Sequence, residues 1–419
     1  MKKLIYLDNS ATTPVDPRVL KAMLPYFTNK FGNASSLYQA GLDNRVVIDR
    51  SQAKIAQFLG CAKEEVYFTS GATESDNMAI LGVSGALNGA QPVHIVVSQI
   101  EHDAILEPSH QLESSGVKVT YLPVNKKGLV ELSQLKKAIR PNTVLVSIMY
   151  VNNEVGTIQP IAQIGKFIAD LNKSRGFGQS PISSSLSKGG RIYFHTDATQ
   201  APSYCNCDIN KLGVDLMSLS AHKIYGPKGI GVIYIKKGTP IVPMIYGGHQ
   251  QDNVRPGTYN VSGIVGLAKA IELIADKKLP VRNASDSVAG GKNQEIKKTQ
   301  LLRDYLIRQI KNKIPDAIVN GDMKFRVPSN ANFIFKGVEG ESVVLMLSDK
   351  GIAVSTGSAC SSGSLEPSHV LTAMSIAPEL AHGSLRVTLG RFTTKQDVKA
   401  LIKELPPIIK KLRKMSPLD

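Results

Sequence analysis

The sequence predicts an α/β protein: a large domain with a mostly parallel mixed sheet flanked by helices, and a smaller α+β domain. Three observations lead there. Short apolar runs alternate with longer stretches of helical periodicity up to about residue 260. Several of those runs are almost entirely apolar, as strands buried on both faces should be. Beyond that point the rhythm changes to two long helical stretches and then a short strand–helix–strand series.

In chain order, strands are predicted over 66–69, 94–98, 117–122, 144–149, 191–194, 215–220 and 231–235. Between them, 75–87, 132–139 and 161–171 carry helical spacing. The second region has helices over 263–276 and 295–314, strands over 332–335, 352–354 and 384–389, and a helix over 341–350. A lysine-rich helix over 395–414 closes the chain, with a break expected at Pro406-Pro407, since proline lacks the helix donor and crowds the preceding turn. This divides the chain into a large domain over 14–260 and a small domain made of 1–13 and 261–419. Residues 172–191, rich in Ser, Gly and basic residues, and the polar stretch 280–294 read as surface loops.

Composition narrows the function. The chain has 419 residues, 42% hydrophobic and 20% charged, which suits a folded protein and excludes a disordered one. Four cysteines, Cys61, Cys205, Cys207 and Cys360, are too few for a disulfide scaffold. No apolar run approaches the roughly 18 residues of a membrane span, and no signal or transit peptide is read at the start, so a cytoplasmic location is expected. Lys+Arg 50 against Asp+Glu 34 leaves a net charge of +16. That excess suits a nucleic-acid partner, an acidic protein partner or a lysine-rich surface.

Five segments can carry chemistry. Lys223 follows a buried strand in Ser220-Ala221-His222-Lys223 and precedes the turn Gly226-Pro227-Lys228-Gly229. Strand ends are where α/β folds place ligands, and a desolvated lysine can form a Schiff base. Asp197, in His195-Thr196-Asp197-Ala198-Thr199-Gln200, can keep a pyridinium charged or simply cap a helix, and the residues alone leave both open. Thr69-Ser70-Gly71-Ala72-Thr73-Glu74-Ser75 is a strand–turn–helix start whose amides suit a phosphate, although it lacks the nucleotide P-loop pattern. His102 can stack on an aromatic cofactor or shuttle a proton, and a solvated loop histidine is the plainer reading. Cys360 sits in a Ser/Gly run, either as an inert loop thiol or as a nucleophile able to reach a substrate. Cys205 and Cys207 are too close for a redox C-x-x-C pair and lack a second ligand cluster.

Taken together, the segments resemble cysteine desulfurases of the NifS/IscS type. These belong to the class V aminotransferases among fold-type I, pyridoxal-phosphate (PLP)-dependent enzymes. The resemblance rests on YLDNSATTP (6–14), GNASS (32–36), FTSGATESDN (68–77), SIMYVNNEVG (147–156), HTDATQ (195–200), SAHKIYGPKGIG (220–231), RPGT (255–258), STGSACSSGSLEPSHVL (355–371) and SLRVTLGRF (384–392), in that order. It implies that Lys223 holds PLP covalently, Asp197 pairs with the pyridine nitrogen, Gln200 bonds the phenolic oxygen and His102 stacks on the ring. Ala72, Thr73, Ser220 and His222 would bind the phosphate. Thr258 would reach the phosphate of a second subunit, which implies a homodimer. Asn33, Asn153 and Arg386 would position L-cysteine, Asn153 would also contact the cofactor, and Cys360 would be the nucleophile. The Ser-rich loop after Cys360 is similar to that of the branch that hands sulfur directly to an iron–sulfur scaffold or a tRNA-thiolation protein. The alternatives are a PLP lyase acting on selenocysteine or cysteine sulfinate, and a basic RNA-binding protein on a retired PLP fold.

Overall fold

A computed structural model of the chain describes residues 4–88, 93–177, 190–275, 294–357 and 366–415. Twelve strands fall within it: β1 (Ile5–Tyr6), β2 (Val66–Thr69), β3 (His94–Ser98), β4 (Lys118–Leu122), β5 (Thr143–Ser147), β6 (Tyr193–Asp197), β7 (Leu216–Ser220), β8 (Gly231–Ile235), β9 (Ile318–Val319), β10 (Asn330–Ile334), β11 (Ile352–Ala353) and β12 (Ser384–Thr388). Seven form one sheet in the order β2-β8-β7-β6-β5-β3-β4. Only β8 runs against its neighbours β2 and β7, and all other pairings are parallel. The sheet is therefore mixed and mostly parallel.

The apolar strands explain this sheet. Successive side chains on a strand point to opposite faces. Val96, Val146, Phe194, Met217 and Val232 enter one buried cluster, while Ile95, Leu145, Tyr193, Leu216 and Ile233 enter another. Helices cover both faces, so β3, β5, β6, β7 and β8 are buried along their whole length, while the edge strand β4 is partly exposed. Because β3, β5, β6 and β7 are parallel neighbours, their carboxyl ends share one edge of the sheet.

A second core forms around the antiparallel strands β9, β10 and β12, under the helices Gln294–Lys313, Gly340–Ser348 and Lys395–Met415. Leu7 belongs to it, and β1 pairs in parallel with β11. Three sequence expectations change. The helix Val261–Ala275 packs Ile264, Leu267 and Ile271 into the first core, so the large unit extends beyond residue 260. The helix Lys395–Met415 does not break at Pro406-Pro407. Its buried face of Val398, Leu401, Ile402, Leu405, Ile408 and Ile409 offsets the roughly 3 kcal/mol that an internal proline costs. The single helix expected over 75–87 is three segments, with a wide π turn at Met78–Gly82 between Ala72–Asn77 and Val83–Leu87. Most of the 172–191 loop lies outside the described residues.

Close approach of two main chains fixes one corner of the sheet. A Cβ on Gly231 would stand 2.7 Å from the main chain of Gly71 and 2.8 Å from the carbonyl oxygen of Leu219. Gly231→Ala should lower stability by about 1–3 kcal/mol, the range for overpacked sites. Urea unfolding measures this, and an unchanged midpoint would mean that β2 and β8 can separate at this corner.

Candidate active site

Four of the parallel strands, β3, β5, β6 and β7, each deliver one part of the site at the carboxyl end. After β3, His102 caps the helix Asp103–Ser114, with its Nδ1 accepting the Ala104 N–H at 3.1 Å. A neutral His102 ring therefore carries its proton on Nε2. After β5 come Met149 and Asn153. At the end of β6, the buried Asp197 accepts the Thr199 N–H at 2.8 Å. A turn rather than a helix follows it, which removes the helix-cap reading. After β7, Ser220 leads into a short 3-10 turn, Ala221–Lys223.

Lys223 does not hang free in this turn. Its Nζ donates to the carbonyl oxygens of Ser10 at 2.6 Å and Ala11 at 2.8 Å. The Gln200 amide donates to the same Ser10 oxygen at 3.0 Å. The Ser10 N–H in turn donates to the Thr388 hydroxyl on β12 at 2.9 Å. Arg386, also on β12, is almost fully buried. Its Nη2 meets Asp8 at 2.9 Å, and its main chain pairs with Ser355.

These groups surround one cavity of about 1040 Å³. Of the residues singled out in the sequence, Ala72, Thr73, His102, Asn153, Asp197, Gln200, Ser220, His222, Lys223 and Arg386 line it. Asn33 and Thr258 do not; both are exposed, and Asn33 Oδ1 accepts the Ser35 N–H. Cys360 lies outside the described residues, while Gly357 and Glu366, the described residues on either side of it, both line the cavity. Cys205 and Cys207 are buried in the first core.

Sequence reasoning missed several contributors. Asp8 partners Arg386 across 378 positions, a pairing that no local pattern signals. Glu154 accepts the Ser368 hydroxyl at 2.5 Å and packs against Gly357. Asp76 and Glu101 are buried carboxyls near Asp197. Burial and the Asp197 charge hold Asp76 well above the usual carboxylate range. Burial pushes Glu101 up to about 8, although its Oε1 accepts the Ser98 hydroxyl and the Met149 N–H. Burial, with Lys223 and Lys228 nearby, lowers His222 to about 4, so its ring is neutral at pH 7.

The donor set suits PLP and an amino acid. An amine, an imidazole, a carboxylate and an amide converge on one cavity, with hydroxyls beside a helix start. Among the described residues the buried Nε of Arg386 has no hydrogen-bond partner, which leaves a donor suited to an incoming carboxylate.

Comparison with known proteins agrees with that geometry. Residues 5–174 and 180–401 match the family Aminotransferase class-V. A cysteine desulfurase IscS of Dictyoglomus turgidum is 47% identical over 417 residues, covering 100% of this chain and 97% of its own. One from Methanosarcina thermophila is 47% identical over 99% of this chain and 94% of its own. The solved structure of a NifS-like protein superposes with a TM-score of 0.85 at 33% identity, over 98% of this chain and 100% of that one. The fold is that of a class V aminotransferase. The chain belongs to that family, among its cysteine desulfurases of the NifS/IscS type.

The buried carboxyls make a pH prediction. Glu101 titrates near 4.5 when unfolded and near 8 when folded. Between those values the folded state holds the extra proton, so this group lowers stability as pH rises. Glu101→Gln keeps an acceptor for Ser98 and Met149 and removes the titration. Its stability relative to wild type should climb between about pH 5 and pH 8. Thermal melts across that range test this, and parallel pH profiles would show that Glu101 does not titrate there.

Proposed function

We propose that the cavity holds PLP on Lys223, and that the chain takes sulfur from L-cysteine to give L-alanine and a persulfide on Cys360. One observation carries the reading: Lys223, Asp197 and His102, from three strand ends of the large sheet, and Arg386, from within β12, line a single cavity. PLP, when bound, supplies an electron sink that stabilises negative charge at the substrate Cα.

Asp197, Gln200 and His102 would hold its ring, and Ala72, Thr73, Ser220 and His222 its phosphate. Asp197 would supply negative charge to a ring nitrogen, while burial and the Asp197 charge favour the neutral form of Asp76 and Glu101 nearby. Arg386 and Asn153 orient the substrate carboxylate, Arg386 through an Nε that has no partner among the described residues. Lys223, held at the Ser10 and Ala11 carbonyls, is placed to carry protons once its amine is released. His102, with its proton on Nε2, is the second carrier.

The Cys360 thiolate attacks the substrate sulfur. A sulfur–sulfur bond forms as the Cβ–S bond breaks, and its electron pair remains with the carbon fragment, which takes up protons to become alanine. The sum is cysteine plus enzyme thiol giving alanine plus enzyme persulfide, so no outside oxidant is needed. The persulfide would then pass to an iron–sulfur scaffold or a tRNA-thiolation protein in the cytoplasm. No helix among the described residues is long and apolar enough to cross a membrane.

The reading includes a homodimer. Phe31, Leu37, Tyr38 and Tyr246 are between 60% and 90% exposed, unusual for large apolar side chains unless a second copy covers them. Thr258, exposed and absent from its own chain's cavity, is free to serve a neighbouring one.

Purified protein should be yellow and should release alanine and sulfide from L-cysteine in the presence of a thiol reductant. Faster turnover of selenocysteine or cysteine sulfinate would shift the substrate assignment. Cys360→Ser should stop sulfide release with cofactor still bound; sulfide at the wild-type rate removes Cys360 as the sulfur acceptor. Arg386→Lys keeps the charge but loses the planar fork, so kcat/KM for cysteine should fall about 100-fold, mainly through KM. An unchanged KM would separate Arg386 from substrate binding.

A further inference from the structure

We propose that Lys228 is a ligand of the cofactor phosphate, supplying the positive charge that the other phosphate-binding residues lack. This rests on the reading that the cavity holds PLP, and adds to it a residue outside the set the resemblance implies.

The argument begins with charge. A phosphate monoester carries roughly two negative charges at neutral pH. Thr73 and Ser220 offer neutral hydroxyls, and the His222 ring is neutral at pH 7. The charged residue in the turn itself is Glu74, which has the wrong sign. Its oxygens already accept from the Ser70 N–H at 2.6 Å and from Arg255 Nε at 2.7 Å. Arg255 is thus committed to cancelling Glu74. Without a further cation, the dianion would meet helix-start amides and hydroxyls alone.

The sheet brings that cation to the right place. β2 and β8 pair antiparallel with Thr69 opposite Gly231. The residues just after Thr69 and just before Gly231 therefore leave the sheet side by side. The contact of Gly231 with Gly71 pins the two turns together. As a result Lys228 and Gly229 line the cavity with Thr73, Ser220 and His222. Lys228 has no ion pair or hydrogen bond among the described residues. Its charge is felt at His222, where it adds to the depression caused by burial. A lysine on a flexible stem binds phosphate as a point charge and needs no rigid fork.

The test compares PLP with pyridoxal, which lacks the phosphate, as ligands of wild type, Lys228→Gln and Lys228→Arg. Absorbance of the bound chromophore reports affinity, and cofactor release from each holoenzyme is followed against a carbonyl trap. Lys228→Gln should weaken PLP about tenfold, close to 1.4 kcal/mol, and leave pyridoxal unchanged. The inhibition constant of inorganic phosphate should rise in that variant alongside the weakened PLP, and Lys228→Arg should stay near wild type. Equal affinity of wild type and Lys228→Gln for PLP would overturn the proposal, leaving Lys228 an ordinary surface lysine. Equal weakening of PLP and pyridoxal would also overturn it, since the effect would not come from the phosphate. Wild type that binds neither compound would instead sink the PLP reading itself.

Discussion

The site depends on the main chain of Ser10. Its N–H is bonded to Thr388 on the second sheet, and its carbonyl oxygen accepts both Lys223 and Gln200 from the first. Two residues earlier, Asp8 holds Arg386. Residues 8–11 therefore join the unit that carries the lysine to the unit that carries the arginine. Those two groups must act on one small molecule, and their separation is set by a few main-chain hydrogen bonds rather than by either core. Main-chain donors and acceptors suit this role because they lack the rotamer freedom of side chains. Thr13 extends the same device: its hydroxyl donates to the His222 carbonyl and accepts the Tyr225 N–H on either side of Lys223.

Electrostatics around Asp197 follows from burial. Three carboxyls lie close together with little water, and like charges cannot all ionise there. Asp76 and Glu101 take the neutral role, each raised first by desolvation and further by Asp197. His195, fully buried between Ser147 and Ser218, is depressed to about 3 and adds no positive charge. Burial thus favours the neutral form of the titratable groups packed beside Asp197. The carboxyls differ in role because of where the strands end, not because of residue type.

The strand ends were legible because doubly buried strands leave continuous apolar runs, and the polar residue that ends each run marks the edge where ligands bind. Lys223, Asp197 and His102 were found this way. The shape of the cavity was not legible, because its closure depends on contacts such as Asp8 with Arg386 and Glu154 with Ser368, which join residues far apart in the chain. Nor did local rules foresee an unbroken helix through Pro406-Pro407, where packing of an apolar face outweighs propensity. The boundary at 260 failed for a related reason. The change in rhythm marks where strands stop, whereas the helix Val261–Ala275 still belongs to the core before it. Two residues that the resemblance implied but the cavity does not include, Asn33 and Thr258, are both exposed.

The net charge of +16 is separable from the chemistry. The cavity's acidic lining, with Glu74, Asp76, Asp103, Glu107, Glu154, Asp197 and Glu366 against Lys223, Lys228 and Arg386, has no basic excess. Surplus lysine instead lies along the outer helices Gln294–Lys313 and Lys395–Met415, whose apolar faces are turned into the second core. A field from those helices acts on approach and solubility, and its effect on the reacting groups is screened within about 10 Å at moderate salt. The charge that initially suggested nucleic acid thus describes the outside of the second unit. The cation that matters to catalysis is chosen singly, by its place at a strand end.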